Sequence, residues 1–206
     1  MIEQEKYMAP EILANAISSY LEKTPPLTDE EQDIETVKNE HTCLDIGCGT
    51  GLAGIYLAQS VTIKSLTGID ISPNMIELSK TLEIDSKLLY SKNKTMDFND
   101  IKSIASLGKK FTIILACMSL GYANDLSGIL EALHKISLEN GILGITVLKS
   151  SSKDIDFNYE HACLSFSKKF LKEISTKSSW TIIQCEEIYL FDNRSTGFAL
   201  ILKKET

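Results

Sequence analysis

Apolar positions along the chain keep two different rhythms. Behind Pro10, Ile12, Leu13, Ala16, Ile17, Tyr20 and Leu21 recur at three- and four-residue spacing, which predicts an amphipathic helix running to about Glu22. Pro25-Pro26 ends it, and the acidic stretch from Asp29 to Glu40 is polar enough for a solvated linker or an exposed helix. From residue 42 the pattern becomes short apolar runs separated by longer helical stretches, the signature of βαβ units on a parallel sheet. The predicted strands are 43–46, 66–70, one within 87–98, 111–117 and 142–148. The predicted helices are 52–59, 73–82, 99–107 and 126–138, the second opening on Ser72-Pro73 as cap and first turn. Gly108 and Gly141 occupy positions suited to helix C-caps.

The last quarter of the chain changes rhythm. A helix is predicted near 165–174. The runs 180–190 and 197–202 that follow are rich in β-branched and aromatic residues and are joined by the turn-prone segment Phe191-Asp192-Asn193-Arg194-Ser195. They predict an antiparallel hairpin closing a mostly parallel sheet. The fold class is therefore α/β, doubly wound, with a helical cap and linker over residues 1–41 and the main domain over 42–206, together one globular unit.

Composition narrows the class. At 206 residues, 43% hydrophobic and 24% charged, the chain has enough apolar material for a packed core without staples. Its N-terminus lacks the basic flank and apolar run of a signal peptide, and no stretch approaches the roughly 18 apolar residues of a membrane span, so the expectation is a cytoplasmic protein with no membrane partner. The five cysteines, Cys43, Cys48, Cys117, Cys163 and Cys185, show neither CxxC spacing nor a nearby histidine pair, and read as buried free thiols rather than metal ligands. A net charge of −7 without a long basic cluster argues against a nucleic-acid partner; Lys168-Lys169 with Lys172 reads as a solvated helix face.

The candidate chemistry sits in Leu44-Asp45-Ile46-Gly47-Cys48-Gly49-Thr50-Gly51-Leu52, a glycine-rich turn between a strand and a helix. Glycine lets backbone N–H groups approach a ligand, and the helix N-terminus offers partial positive charge to a carboxylate or phosphate. In one frame, Gly49-x-Gly51-x-x-Gly54 with Asp70 downstream matches a dinucleotide fingerprint and a dehydrogenase. In the other, Asp45-x-Gly47-x-Gly49-x-Gly51 puts a carboxylate at the mouth, which repels a pyrophosphate and attracts an ammonium group. The second frame fits the zwitterionic end of S-adenosylmethionine.

Downstream, Asp70 ends a strand where it can accept from both ribose hydroxyls, and Ile71 and Met75 offer apolar surface to an adenine. Met96-Asp97-Phe98 supplies a carboxylate for the adenine amino group and packing for the ring, with Asp100 as the alternative carboxylate. Cys117-Met118-Ser119-Leu120-Gly121-Tyr122 follows the fourth main strand, at the sheet edge where open α/β folds hold ligands.

These pieces in this order, LDIGCGTG, GIDISPNM, MDF, FTIILACMSLGY and the Asn140-Gly141-Ile142-Leu143 turn, resemble the class I, seven-stranded, Rossmann-like S-adenosylmethionine-dependent methyltransferases over roughly residues 42–150. Tyr7-Met8-Ala9-Pro10-Glu11-Ile12-Leu13 and His161 are similar to a group of small members that includes tetratricopeptide-repeat-associated and Williams-Beuren-region methyltransferases. The resemblance implies a seven-stranded sheet and a cofactor site of Tyr7, Asp45, Gly47, Cys48, Gly49, Gly51, Asp70, Ile71, Met75, Met96, Asp97, Phe98, Cys117 and Met118. Asp45, Gly47 and Gly49 surround the methionine moiety, Asp70 the ribose, Asp97 the adenine. Two departures, Met8 where arginine is usual and Tyr159-Glu160-His161-Ala162 in place of an Arg-Tyr-Ala-His-like stretch, imply a changed substrate or a weaker hold on a carboxylate.

Such an enzyme needs no covalent nucleophile, because the sulfonium is already activated; the protein aligns the acceptor and excludes water. Where the acceptor must lose a proton, His161, Tyr159 and Tyr122 are the candidates, and His161 and Tyr122 are taken as the catalytic pair. The N-terminal segment is read as a lid over the cofactor, with plain packing on the sheet as the alternative. The expected activity is methyl transfer to a small-molecule acceptor, releasing S-adenosylhomocysteine. A protein methyltransferase and a non-catalytic cofactor-binding module are the competing readings.

Overall fold

A computed structural model of the chain describes residues 7–24, 40–108, 111–191 and 195–205. The predicted acidic linker, apart from Glu40, and the turn residues 192–194 lie outside them. The elements run α1 (Ala9–Lys23), β1 (His41–Ile46), α2 (Leu52–Ser60), β2 (Ile63–Asp70), α3 (Pro73–Ser79), β3 (Glu83–Ile84), β4 (Lys87–Leu88), β5 (Lys92–Thr95), α4 (Ile101–Ala105), β6 (Phe111–Cys117) and a 3-10 turn (Leu120–Tyr122). They continue with α5 (Leu126–Ile136), β7 (Ser137–Lys149), β8 (Ile155–Asn158), β9 (Cys163–Phe166), α6 (Lys168–Lys177), β10 (Trp180–Phe191) and β11 (Ser195–Lys204).

Seven strands follow one another in the order β10-β11-β7-β6-β1-β2-β5. The five from β7 to β5 run parallel, and β11 and β10 return antiparallel, as the tail's composition predicts. The central strands read as continuous apolar runs because both faces are covered. Leu44, Ile46, Ile114 and Ala116 join one core with Ile104 of α4, Leu133 of α5 and Leu171 of α6. Cys43, Ile113 and Leu115 point the other way, to Leu13 and Ile17 of α1, Leu57 of α2 and Ile76 of α3. Trp180 is fully buried and donates from Nε1 to the Leu130 carbonyl at 3.0 Å, fastening β10 to α5. No described helix is long and apolar enough to cross a membrane.

Three local expectations are corrected. Helix α3 ends at Ser79 rather than 82, because Asp85 and Ser86 take left-handed conformations (φ 51° and 63°) that fold residues 83–88 into a hairpin. Gly141 is not a helix cap: α5 passes directly into β7, Asn140 holds the left-handed conformation (φ 60°), and a side chain at Gly141 would strike Ser137. The helix expected near 165–174 starts at Lys168, capped by Ser167, whose Oγ accepts from Phe170 N at 3.0 Å. Ser165 and Phe166 instead belong to β9, which with β8 forms a hairpin on the edge of β7. The strand within 87–98 is the short, lysine-bearing edge strand β5, a composition that discourages further pairing.

Helix α1 packs on the sheet. Ala9, Leu13, Ala14 and Ile17 are buried, and Gly144 of β7 lets Ile17 sit directly on the strand: a Cβ there would lie 2.8 Å from Ile17 Cδ1. Replacing Ile17 by alanine is expected to cost about 2–5 kcal/mol, the usual range for an emptied core site, read as a lower urea midpoint at unchanged slope. A midpoint equal to that of the parent would show that α1 is not part of the core.

Candidate functional site

The site gathers at the carboxyl ends of the parallel strands. β1 delivers Asp45 into the turn Gly47-Cys48-Gly49, which Cys48 N pins to Ile69 of β2 by a 3.0 Å bond to its carbonyl. Gly47 and Gly49 both have positive φ, 65° and 53°. A Cβ at Gly47 would lie 2.5 Å from Ser119 Cβ, so the turn passes hard against the segment after β6; at Gly49 it would meet nothing within 4 Å, which leaves this stretch of backbone facing open space. The Cys48 side chain is buried, so only its backbone belongs to the turn's surface. Gly51 precedes α2, and no side chain caps that helix, leaving first-turn amides open to an anionic group.

Beneath the turn lies Tyr90. Added Cβ atoms at Gly51, Gly54 and Gly68 would all crowd its ring. Its hydroxyl donates to Asp45 Oδ2 at 2.7 Å. Asp45 is 1% exposed, yet its other oxygen has no hydrogen-bond partner among the described residues, and neither has the buried Ser119 Oγ across Gly47. Buried polar atoms are nearly always paired, so two orphans at one turn mark a place built for a polar ligand group. Burial pushes the Asp45 carboxyl up to about 6; the Tyr90 hydrogen bond opposes that and the Asp70 charge adds to it.

Asp70 sits across the turn. Its Oδ2 accepts from Gly49 N at 2.9 Å and its Oδ1 from Ser72 N at 2.8 Å. Ser72 in turn caps α3, its Oγ accepting from Met75 N at 3.4 Å. Asp70 therefore braces the glycine turn while keeping carboxylate lone pairs for a further donor. Ile71 and Met75 beside it are exposed, at 64% and 38%. Asp97 accepts from Asn99 N through one oxygen at 2.8 Å. Asp100 is occupied as the N-cap of α4, accepting from Lys102 N and from the backbone and hydroxyl of Ser103. The Phe98 ring is turned into the core rather than laid open as the sequence suggested, with the partly buried Met96 packed against it.

The opposite wall is aromatic. Met118 leaves β6 with a left-handed φ of 56°, and its N–H is held by the carbonyl and hydroxyl of Thr146. Cys117 Sγ receives the Thr146 hydroxyl at 3.4 Å and faces the Tyr7 hydroxyl at 3.6 Å. Burial raises the Cys117 thiol to about 11, so it is not a nucleophile at neutral pH. Burial likewise raises the Tyr7 phenol, and the nearby Asp45 charge adds to it. Tyr7 stacks on Phe191, and Phe191 on His161. His161 Nε2 lies 2.8 Å from Ser195 Oγ, and its backbone N–H donates to Asn158 Oδ1 at the end of β8. Tyr122, the last residue of the 3-10 turn, is 56% exposed. A cavity of about 720 Å³ opens elsewhere, at the amino-terminal edge of β2, and contains none of these residues.

A family described as methyltransferase domain matches residues 8–184. The chain belongs to that methyltransferase family. It is a class I, Rossmann-like member of the S-adenosylmethionine-dependent methyltransferases. The malonyl-[acyl-carrier protein] O-methyltransferase of Acetivibrio thermocellus is 26% identical over 126 residues, covering 61% of this chain and 42% of that protein. The mitochondrial arginine-hydroxylase NDUFAF5 of Danio rerio is 22% identical over 142 residues, 69% of this chain and 41% of that protein. The chain thus spans less than half the length of either curated relative. Among solved structures, the Burkholderia thailandensis 1,6-didemethyltoxoflavin-N1-methyltransferase, with bound 1,6-didemethyltoxoflavin and S-adenosylhomocysteine, has a TM-score of 0.72 at 13% identity. That match covers 98% of this chain and 80% of that one.

In this methyltransferase domain, sequence reasoning brought Asp45, Asp70, Cys117, Ser119, Tyr7 and His161 to one edge but missed Tyr90, Thr146, Phe191 and Ser195. Tyr90 had a signal: glycines at 51, 54 and 68 leave room for one large ring. The others depend on tertiary approach and had none.

The Asp45 carboxyl gives a pH signature. Its pKa rises from 3.8 in an ordinary setting to about 6 in the fold, so between those values the native protein binds more protons than the unfolded chain. Stability is greatest below about pH 4 from this group and is lost as pH rises through 6, by about 3 kcal/mol, from roughly 1.4 kcal/mol per pKa unit. Denaturant melts of apo protein from pH 4 to 8 are expected to show that decline, and Asp45→Asn to remove it. The same slope in the variant would assign the decline to other groups.

Proposed function

We propose that this chain transfers the methyl group of S-adenosylmethionine to a small, uncharged acceptor. The observation that carries the cofactor half is the pair of orphaned acceptors, Asp45 Oδ1 and Ser119 Oγ, flanking Gly47. An ammonium group satisfies both, whereas a pyrophosphate could take only the Ser119 hydroxyl proton and would be repelled by the Asp45 carboxylate, which favours the S-adenosylmethionine frame of the glycine turn over the dinucleotide one. The uncapped start of α2 suits the cofactor's carboxylate. Asp70 serves the ribose hydroxyls, Ile71 and Met75 flank the adenine, and Asp97 takes its amino group. The bound sulfonium supplies an activated methyl; this chain's residues hold the acceptor in line and keep water away.

The acceptor half rests on the opposite wall. Tyr122, Phe191 and His161 give it a largely aromatic, uncharged surface. The chain's only arginine is Arg194, so the planar fork best suited to carboxylates and phosphates is nearly absent. His161, held between Phe191 and Ser195, is the group placed to take a proton, with Tyr122 orienting the acceptor. A protein-borne acceptor is the second reading, favoured by a relative whose name specifies an acyl-carrier protein.

Calorimetric titration with S-adenosylhomocysteine, alongside NADH, tests the cofactor. Micromolar binding of S-adenosylhomocysteine alone is expected. Asp70→Ala should weaken it about a hundredfold, since two charge-assisted hydrogen bonds are lost. Preference for NADH, or undiminished affinity in the variant, would overturn the assignment.

A further inference from the structure

Three rings from distant parts of the chain form one stack, and Phe191 is its centre. Tyr7 precedes α1, His161 lies in the turn between β8 and β9, and Phe191 ends β10. Phe191 stands 5.0 Å from Tyr7 at an interplanar angle of 21°, and 5.1 Å from His161 at 8°. Each outer ring carries a polar atom tied into the site, Tyr7 to Cys117 and His161 to Ser195. The backbone reinforces the arrangement: Tyr7 bridges Phe191, and Met8 N donates to the Leu190 carbonyl at 2.9 Å.

Burial alone does not call for an aromatic ring here. Phe191 is only partly buried, against a small cluster of Ala9, Leu148, Cys163, Ile188, Leu190 and Ala199 that any aliphatic side chain would cover. What a leucine or methionine cannot supply is two flat faces that hold two other rings in register. We propose that Phe191 is a positioning residue for methyl transfer, the shared partner that fixes Tyr7 on the cofactor side and His161 on the acceptor side so that the two halves of the site are ordered together. The proposal rests on the S-adenosylmethionine reading of the glycine turn. A ligand that settles Tyr7 is then felt at His161 through Phe191, although the two outer rings share no hydrogen bond.

The test uses the full chain with Phe191→Leu, Phe191→Met and the conservative Phe191→Tyr. His161 ring protons are followed by NMR, assigned among the three histidines by their loss in His161→Gln, and S-adenosylhomocysteine affinity is measured by calorimetry. In the parent, the His161 resonances carry the ring-current shift of the stack and respond to S-adenosylhomocysteine. Leucine and methionine are expected to abolish both features and weaken binding about tenfold, the worth of an aromatic pair, while tyrosine restores them. Folded leucine or methionine variants with parental affinity and parental His161 resonances would overturn the proposal. Failure of the parent to bind S-adenosylhomocysteine would instead remove the cofactor reading, and with it the role in methyl transfer, while the difference in His161 resonances between parent and variants would still report the stack.

Discussion

A single buried hydrogen bond, from Tyr90 to Asp45, organises the ligand edge of this protein. To place a phenol beneath the first strand's carboxylate, the chain must clear room for a ring at three positions, and Gly51, Gly54 and Gly68 do so. The same bond satisfies one Asp45 oxygen and leaves the other, like Ser119 Oγ at the same turn, without a partner among the described residues. Holding a carboxylate in that state is unfavourable without a partner, and the raised Asp45 pKa is the thermodynamic form of that cost. The apo protein is therefore least content at the spot where a cationic group brings the largest relief. Affinity in such a site comes from completing a preformed set of interactions rather than from covering area.

Around this centre the brace is reciprocal. Asp70 holds the Gly49 amide and the Ser72 amide, and Ser72 caps α3, so strand β2, the glycine turn and α3 are locked through one carboxylate. The opposite wall is built by different means. There, rings from the segment before α1, from the β8–β9 turn and from the end of β10 lean on one another, and hydrogen bonds to Cys117 and Ser195 set their edges. A rigid, polar cofactor edge facing a stacked aromatic wall suits a fold whose donor is constant and whose acceptors vary.

The sheet was largely legible in the sequence because parallel strands covered on both faces read as apolar runs, and Cys43 to Ile46, Phe111 to Cys117 and the stretch through Val147 do so, each broken by one polar residue, Asp45, Thr112 or Thr146. The glycine turn and Asp70 were legible because positive φ and strand-end carboxylates restrict residue choice. The β8–β9 hairpin was not, since Ile155 and Phe157 point to solvent and its four-residue strands pair on an edge that only the end of β6 exposes. Phe98 misled for the opposite reason: adjacency to Asp97 suggested a shared ligand, but its ring turns into the core. Asp97 and Asp100 were interchangeable on paper. The N-cap of α4 takes up Asp100, and one Asp97 oxygen bonds only to the local Asn99 amide.

The central claim is that the glycine turn over Asp45 is an S-adenosylmethionine site whose orphaned acceptors receive the cofactor's ammonium group. A crystal structure of the protein with S-adenosylhomocysteine tests it most directly. The account predicts the ligand's amino nitrogen within hydrogen-bonding distance of Asp45 Oδ1 or Ser119 Oγ, with the ribose hydroxyls on Asp70. A ligand seated elsewhere, or one that leaves both acceptors bare and the ribose away from Asp70, would contradict it.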